Sequence, residues 1–220
     1  MVLTDLAYQG PTRGVDRAVL LAHGAGADMN AATLTTVADA LADAKVPSLR
    51  FNFPYRAAGR RAPDRAHALE AAVREAAGEL ARRTKLPRER LVLGGRSMGG
   101  RICSMVATDT GVDAEAGALG LVLLGYPLHP PGKAAQLRVE HFARLRMPVF
   151  FVSGTRDAFG TPTELQREAK KLKGPVSFHW VDSGDHAFKP LKASGLTING
   201  VLADVAGAVV DFVTGISNGR

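Results

Sequence analysis

Cysteine and long apolar runs are scarce in this sequence. Cys103 is the single cysteine among 220 residues, which excludes an internal disulfide and a cysteine metal cluster. The sequence also has no H-E-x-x-H motif and no histidine pair at i, i+4, so we expect no bound metal. The first six residues lack the basic and apolar regions of a signal peptide. No apolar run approaches the ~18 residues of a membrane span, and we therefore expect a cytoplasmic protein without membrane contacts.

The charge is unbalanced towards basic residues. Lysine and arginine total 28 against 21 acidic residues, giving a net charge of +7 and a pI of about 9.9. Such a charge makes nucleic acid a partner to consider. The basic residues are scattered, however, and no nucleic-acid-binding motif accompanies them, so we do not expect this partner. A length of 220 residues with 46% hydrophobic residues is typical of one globular domain over residues 1–220.

Short apolar runs alternate along the chain with longer amphipathic segments. The apolar runs are typical of strands buried on both faces of a sheet; they are Ala18–His23, Ser48–Phe53, Leu91–Gly94, Leu119–Leu124, Val149–Ser153 and Val176–Val181. Apolar residues at helical spacing predict helices between them, over Ala31–Ala44, Asp64–Arg83, Thr163–Leu172 and Gly200–Val213. This alternation predicts an α/β fold with a mostly parallel sheet covered by helices on both faces.

A glycine-rich segment after the third apolar run is the first candidate for chemistry. Residues 95–99 read Gly-Arg-Ser-Met-Gly and match G-x-S-x-G, in which a serine stands on a sharp strand-to-helix turn. A phosphate-binding loop or a plain turn is the alternative. The phosphate-loop pattern fails because no Lys-Ser or Lys-Thr follows the glycines. We therefore predict that Ser97 is a nucleophile.

A serine nucleophile needs a base and an acid that orients the base. In folds with this turn the order along the chain is Ser, then Asp, then His, each after a later strand. Asp157 follows the fifth apolar run and His186 follows the sixth. Each alone could be an ordinary loop residue, and Asp182 and Asp185 could compete with Asp157. The ordered placement of all three favours Ser97, Asp157 and His186 as a catalytic triad.

Two backbone N–H groups are candidates for an oxyanion hole. Met98 follows the nucleophile, and Ala25 follows His23-Gly24 at the end of the first apolar run, where a flexible turn could aim its N–H at the reaction centre. His23 itself we interpret as structural. The alternative is a dinucleotide-binding fingerprint beginning at Gly24-x-Gly26, but Met29 occupies its third glycine position. We therefore favour the oxyanion hole over a dinucleotide site at this turn.

These motifs together resemble the α/β-hydrolase family over the whole chain. The resemblance is closest to its small dienelactone-hydrolase-like branch, which also contains chromatin-complex and testis-expressed hydrolase-like proteins. It rests on Phe51-Asn52-Phe53-Pro54-Tyr55, Gly94–Arg101 (GGRSMGGR), Gly125–Lys133 (GYPLHPPGK), Ser153–Asp157 (SGTRD) and Gly184-Asp185-His186. It implies serine hydrolase chemistry without a cofactor. The sequence departs from the family pattern in two ways: the part before Ala18 is too short for the usual leading pair of strands, so we expect a sheet of about six to seven strands with a truncated N-terminus, and there is no room for a large lid.

We thus expect a serine hydrolase that cleaves an ester or related acyl bond of a small molecule. Two alternatives remain: a non-catalytic scaffold protein that keeps this fold, and an acyltransferase that uses the same triad. Side chains near the predicted strand ends are expected to line the substrate pocket: Tyr55, Tyr126, Leu128, Phe159 and Phe188. An anionic substrate is a further possibility, since Arg56, Arg60 and Arg61 follow the second apolar run. The sequence assigns no role to Arg96 and Arg101 and does not determine the oligomeric state.

Overall fold

The computed structural model describes residues 3, 5–108 and 117–217. The N-terminal stretch that we searched for a signal peptide is therefore described only at residues 3, 5 and 6. The described strands and α-helices are, in chain order, β1 (Leu6–Gln9), β2 (Ala18–Ala22), α1 (Ala32–Asp43), β3 (Ser48–Phe51), α2 (Pro54–Ala57), α3 (Ala66–Thr84), β4 (Leu91–Arg96), α4 (Met98–Val106), β5 (Gly120–Leu124), β6 (Val149–Gly154), α5 (Pro162–Ala169), β7 (Val176–Val181) and α6 (Ile198–Gly215).

Seven strands form one sheet in the order β1-β3-β2-β4-β5-β6-β7. Strands β2 to β7 pair in parallel, and β1 pairs antiparallel to β3 at the edge. The predicted fold class, a mostly parallel sheet of about six to seven strands, is confirmed. Because the strands are parallel, the loops that follow β2, β4, β6 and β7 all leave the same edge of the sheet.

Helices cover both faces of this sheet, and each face has its own hydrophobic core. Alternate residues of a strand point to opposite faces, so Leu20 joins the cluster with α3 and α4, whereas Leu21 joins the cluster with α1 and α6. All five residues of β2 and all five of β5 are buried. These central strands give the loops at their ends a rigid base.

Most element boundaries differ from the predicted ones by one or two residues. The strand predicted at Leu91–Gly94 continues to Arg96, which brings it directly to Ser97. The predicted strand Val176–Val181 has the same bounds in the structure. The last helix runs from Ile198 to Gly215, two residues longer at each end than its periodicity indicated.

Helix α6 differs from the expectation that no segment reaches the length of a membrane span. By length and composition it could cross a membrane, with 18 residues and a mean hydropathy of 1.4. The core helix of a soluble protein passes the same test. In this fold α6 buries Val201, Val205 and Val209 in the cluster shared with α1, so this observation is weak support for membrane insertion.

Candidate active site

Ser97 lies at the turn between β4 and α4 in a strained backbone conformation. Its φ is 49° and its ψ is −116°, a region that residues with a side chain rarely adopt. Its N–H donates to Leu124 O (2.9 Å) and its carbonyl accepts from Arg101 N (3.1 Å). A Cβ at Gly95 or Gly99 would collide with the carbonyl oxygen of Ala22. The two glycines therefore let the turn press against the end of β2.

The structure brings Ser97, His186 and Asp157 together from three loops at one edge of the sheet. His186 Nε2 lies 2.9 Å from Ser97 Oγ, and His186 Nδ1 lies 2.9 and 2.8 Å from the two Asp157 oxygens. Since the carboxylate accepts from Nδ1–H, Nε2 is left with a lone pair that can accept the Ser97 hydroxyl proton. This arrangement is able to activate the serine as a nucleophile.

Neighbouring groups fix the orientation of this hydrogen-bonded chain. The Asp157 side chain is fully buried, whereas that of His186 is 22% exposed. Asp157 Oδ1 also accepts from Phe159 N (2.8 Å), and the Phe159 ring stacks on the His186 ring with centroids 4.0 Å apart. Asp185, the predicted competitor of Asp157, instead accepts from Ala187 N and Lys189 N through Oδ1 and so shapes the histidine loop.

The loop after β2 lies directly beside the nucleophile. A Cβ placed on Gly24 would be 3.4 Å from Ser97 Cβ, so Gly24 and Ser97 are in close contact. The next residue, Ala25, is exposed, and its N–H donates no hydrogen bond to any of residues 3, 5–108 and 117–217. Met98 begins α4. Both predicted oxyanion donors thus belong to segments that meet at Ser97.

His23 stabilises this loop through two hydrogen bonds of its ring. Its Nε2 accepts from Phe53 N (3.1 Å), so its Nδ1 carries the proton and donates to Gly24 O (2.8 Å). Gly24 O and Ala25 N belong to one planar peptide unit, so this bond also fixes the direction of the Ala25 N–H. The ring is fully buried, and burial lowers the pKa of His23 below 6.5, which favours the neutral form. This agrees with the structural interpretation of His23.

The predicted pocket residues divide into two groups. Phe159 contacts the His186 ring and is only partly buried. The other four side chains are 0 to 2% exposed and pack in the two hydrophobic cores; they are Tyr55, Tyr126, Leu128 and Phe188. In this conformation these four side chains contact the core and are not open to solvent.

Two of the three basic residues considered for an anionic substrate have acidic partners. Arg56 lies 3.4 Å from Asp28, and Arg60 lies 2.8 Å from Asp64. Arg61 is exposed. These pairs leave less free positive charge after β3 than the sequence indicated.

The remaining histidines and Cys103 lie away from this chain of hydrogen bonds. His141 is bonded to Ser104 and His179 to Asp204. Burial raises the pKa of Cys103 to about 12, so its thiol is not reactive. Among the described parts of the chain, no cluster of three or more His, Cys, Asp or Glu side chains could hold a metal ion.

Arg96 is a site residue that the sequence reasoning missed. Its guanidinium donates to the carbonyls of His186 and Leu124 and lies over the Phe188 ring, 5.0 Å from the ring centroid. An arginine at the variable position of G-x-S-x-G was visible in the sequence. Its partners were not, because they come from two loops that are distant along the chain.

The parallel sheet and the serine turn between β4 and α4 define an α/β-hydrolase. The alpha/beta hydrolase domain family matches residues 15–214. The chain belongs to the α/β-hydrolase family, and the match shows the protein to be an α/β-hydrolase, as the sequence predicted.

Solved structures with the same fold agree with this assignment. An alpha-beta serine hydrolase homologue from Coxiella burnetii is 20% identical, with a TM-score of 0.65 over 94% of this chain and 90% of that one. A dienelactone hydrolase from Anabaena variabilis is 18% identical, with a TM-score of 0.70 over 95% and 90%. A monoacylglycerol lipase from Paleococcus ferrophilus is 15% identical, with a TM-score of 0.69 over 99% and 100%. The second of these represents the branch that the sequence motifs resemble.

Proposed function

We propose that this protein is a serine hydrolase that cleaves an ester or related acyl bond of a small molecule. The observation that carries the proposal is the unbroken hydrogen-bonded chain from Asp157 through His186 to Ser97 Oγ, with contacts of 2.8 to 2.9 Å. An α/β-hydrolase that had lost its activity would be under no pressure to keep all three groups in contact. The names of the structural relatives, which include a lipase and a dienelactone hydrolase, are consistent with ester chemistry.

The proposed reaction begins with attack on the acyl carbonyl. As Ser97 Oγ forms a bond to the carbonyl carbon, its proton passes to His186 Nε2, and the carbonyl electron pair moves to the oxygen. Buried Asp157 stabilises the resulting imidazolium through the Nδ1–H bond. The N–H groups of Ala25 and Met98 donate to the developing oxyanion, and the α4 N-terminus adds its dipole.

Collapse of this intermediate releases the alcohol. His186 returns the proton to the leaving oxygen, and Ser97 keeps the acyl group as an ester. Water then enters and attacks the acyl carbon while His186 takes one of its protons. The bond between the acyl carbon and Ser97 Oγ breaks, His186 returns the proton to Oγ, and the acid leaves. An acyltransferase would differ only in the acceptor, and no residue described above favours another acceptor over water.

Fluorophosphonate labelling tests the proposal. A serine that attacks carbonyls also attacks such a probe, so the wild type should be labelled, whereas Ser97→Ala and His186→Gln should not. Ser104→Ala is the matched control, because Ser104 is also bonded to a histidine, His141 at 2.8 Å, but is fully buried. Labelling of Ser104→Ala should equal that of the wild type. An unlabelled but folded wild type would overturn the proposed function, and labelling that survives Ser97→Ala would overturn the assignment of Ser97 as the nucleophile.

A further inference from the structure

Arg96 is a partly buried cation whose side-chain hydrogen bonds, among the described residues, go to backbone carbonyls. Its two amino groups reach Leu124 O, at the end of β5, and His186 O. The aromatic face of Phe188 covers the guanidinium. Burial lowers the pKa of Arg96 to about 10, against the opposing effect of Asp157 and Asp185, so the side chain is charged at neutral pH. A charged group is costly to bury unless its partners are well placed.

The contacts of Arg96 close a ring with the proposed nucleophile and base. Ser97 Oγ is bonded to His186 Nε2, the His186 carbonyl is bonded to the Arg96 guanidinium, and Arg96 is joined to Ser97 by the peptide bond. The length of the arginine side chain therefore fixes how far the histidine loop lies from the serine. The Arg96 contact is thus a second attachment of the histidine loop to the end of β4, beside the bond between Ser97 and His186. Neither the strand pairing nor the bond between His186 and Asp157 supplies it.

Leu124 extends the same connection to the neighbouring strand. Its carbonyl accepts both from Ser97 N and from Arg96 Nη1, at 2.9 and 3.4 Å. The following residue, Gly125, has a φ of +60°, and a Cβ there would lie 2.5 Å from Arg96 Nη1. The chain after β5 thus leaves a space that the guanidinium fills. Three loops, after β4, β5 and β7, meet at this one side chain.

We propose that Arg96 is a positioning residue that holds His186 in hydrogen-bond contact with Ser97. The inference rests on the proposed function, since it concerns how the same groups are aligned. Arg96 itself does not touch the reacting atoms. A lysine cannot replace it fully, because an ammonium is a point donor on a flexible stem, whereas the guanidinium fork can donate to two carbonyls at once.

Substitution of Arg96 should lower turnover more than substrate binding. A misplacement of about 1 Å in a reacting group can cost ~10²-fold in rate, so we expect kcat of Arg96→Ala on a nitrophenyl ester to fall about 10²-fold. KM should stay within about twofold. Arg96→Lys should lie between Arg96→Ala and the wild type. Millimolar guanidinium chloride, far below denaturing concentrations, should restore part of the rate of Arg96→Ala by filling the space.

Arg156 provides a matched control. Its Nη1 also donates to a carbonyl of the histidine loop, Ser183 O at 3.2 Å, but from an exposed position. Arg156→Ala should keep kcat within about twofold of the wild type and should not respond to guanidinium. Equal losses in the two variants would mean that any arginine bonded to the histidine loop matters through general stability, and the positioning role would be overturned.

Proton NMR provides a readout that does not depend on turnover. The Nδ1–H of His186, bonded to Asp157, should give a low-field resonance that disappears in His186→Gln. It should broaden through exchange with water in Arg96→Ala and remain sharp in Arg156→Ala. A sharp resonance in Arg96→Ala, or in Arg96→Lys if the alanine variant does not fold, overturns the positioning role. A wild type with this resonance but without labelling would refute only the proposed hydrolysis.

Discussion

Replacement of Gly99 by alanine tests how tightly the serine turn is pressed against the end of β2. A Cβ at this position would lie 2.6 Å from His23 O and 2.6 Å from Ala22 C, whereas ordinary contacts begin at 3.4 Å. The two segments must therefore separate by at least about 0.8 Å, because the carbonyl oxygen of Ala22 would lie closer still. Both opposing atoms belong to the backbone of a buried strand end, which cannot rotate away as a side chain could.

The separation should lower both stability and activity. Forcing a methyl group into a packed interior costs about 1–3 kcal/mol, and the free energy of unfolding should fall by that amount. The same movement carries the Met98 N–H away from the Ala25 N–H, so the two proposed oxyanion donors no longer converge. A displacement of this size can cost about 10²-fold in rate, and we expect such a loss in kcat/KM.

Gly207→Ala is the matched control for this substitution. Gly207 also lies in a helix, α6, but it is exposed and a Cβ there would meet nothing within 4 Å. Alanine in an exposed helix interior is more stable than glycine by roughly 0.5–1 kcal/mol. The same chemical change should therefore stabilise the protein at position 207 and destabilise it at position 99.

Urea denaturation and hydrolysis of a nitrophenyl ester measure the two effects. If Gly99→Ala unfolds at the same urea concentration as the wild type, the contact between the turn and β2 is looser than we describe. If it is destabilised but keeps full activity, the alignment of Met98 with Ala25 does not matter for the reaction.

Two further predictions follow from the polar groups around the site. In Asp157→Asn, Oδ1 can still accept from Phe159 N, but the amide favours the wrong His186 tautomer, so kcat should fall about 10³–10⁴-fold with little change in melting temperature; a loss below tenfold would contradict this. Burial lowers the pKa of His141 from 6.5 to about 4. As the pH falls from 6.5 to 4, His141 is therefore protonated in the unfolded chain before it is protonated in the folded protein. The free energy of unfolding should fall by up to about 3 kcal/mol over this range. Urea denaturation across this range should show that the free energy of unfolding depends less steeply on pH in His141→Gln than in the wild type. The control His67→Gln, which alters an exposed residue, should keep the slope of the wild type. Equal slopes in all three proteins would contradict the lowered pKa of His141.

The strands and helices were largely predictable because their signals are local. Buried strands such as Val149–Gly154 begin with consecutive apolar residues, and a long helix such as Ala66–Thr84 repeats its apolar residues at helical spacing. Strand β1 was not predicted. Its residues, Leu6–Gln9, are only partly buried, and it forms a strand because β3 offers a free edge. That pairing is a tertiary contact, which four residues cannot indicate by themselves.

Within the candidate site, the sequence predicted the chemical groups better than their surroundings. The order of Ser97, Asp157 and His186 follows from the fold, because each residue comes directly after a strand. The large side chains near strand ends were harder to place. Tyr126, for example, packs against Phe142 and Phe151 and donates its hydroxyl to Arg138 O. Proximity to the site does not distinguish a pocket wall from a core residue, because burial is favourable in both places.

The strained conformation of Ser97 explains why so many connections converge on this turn. A non-glycine residue in such a region costs about 1–3 kcal/mol and persists only where its surroundings require it. Here the hydrogen bonds to Leu124 and Arg101, the contact of Gly99 with β2 and the Arg96 side chain all constrain one residue. Relaxation of Ser97 towards an ordinary conformation would turn Oγ away from His186. The connections therefore stabilise an unfavourable local state, which is the state that the proposed reaction of the serine requires.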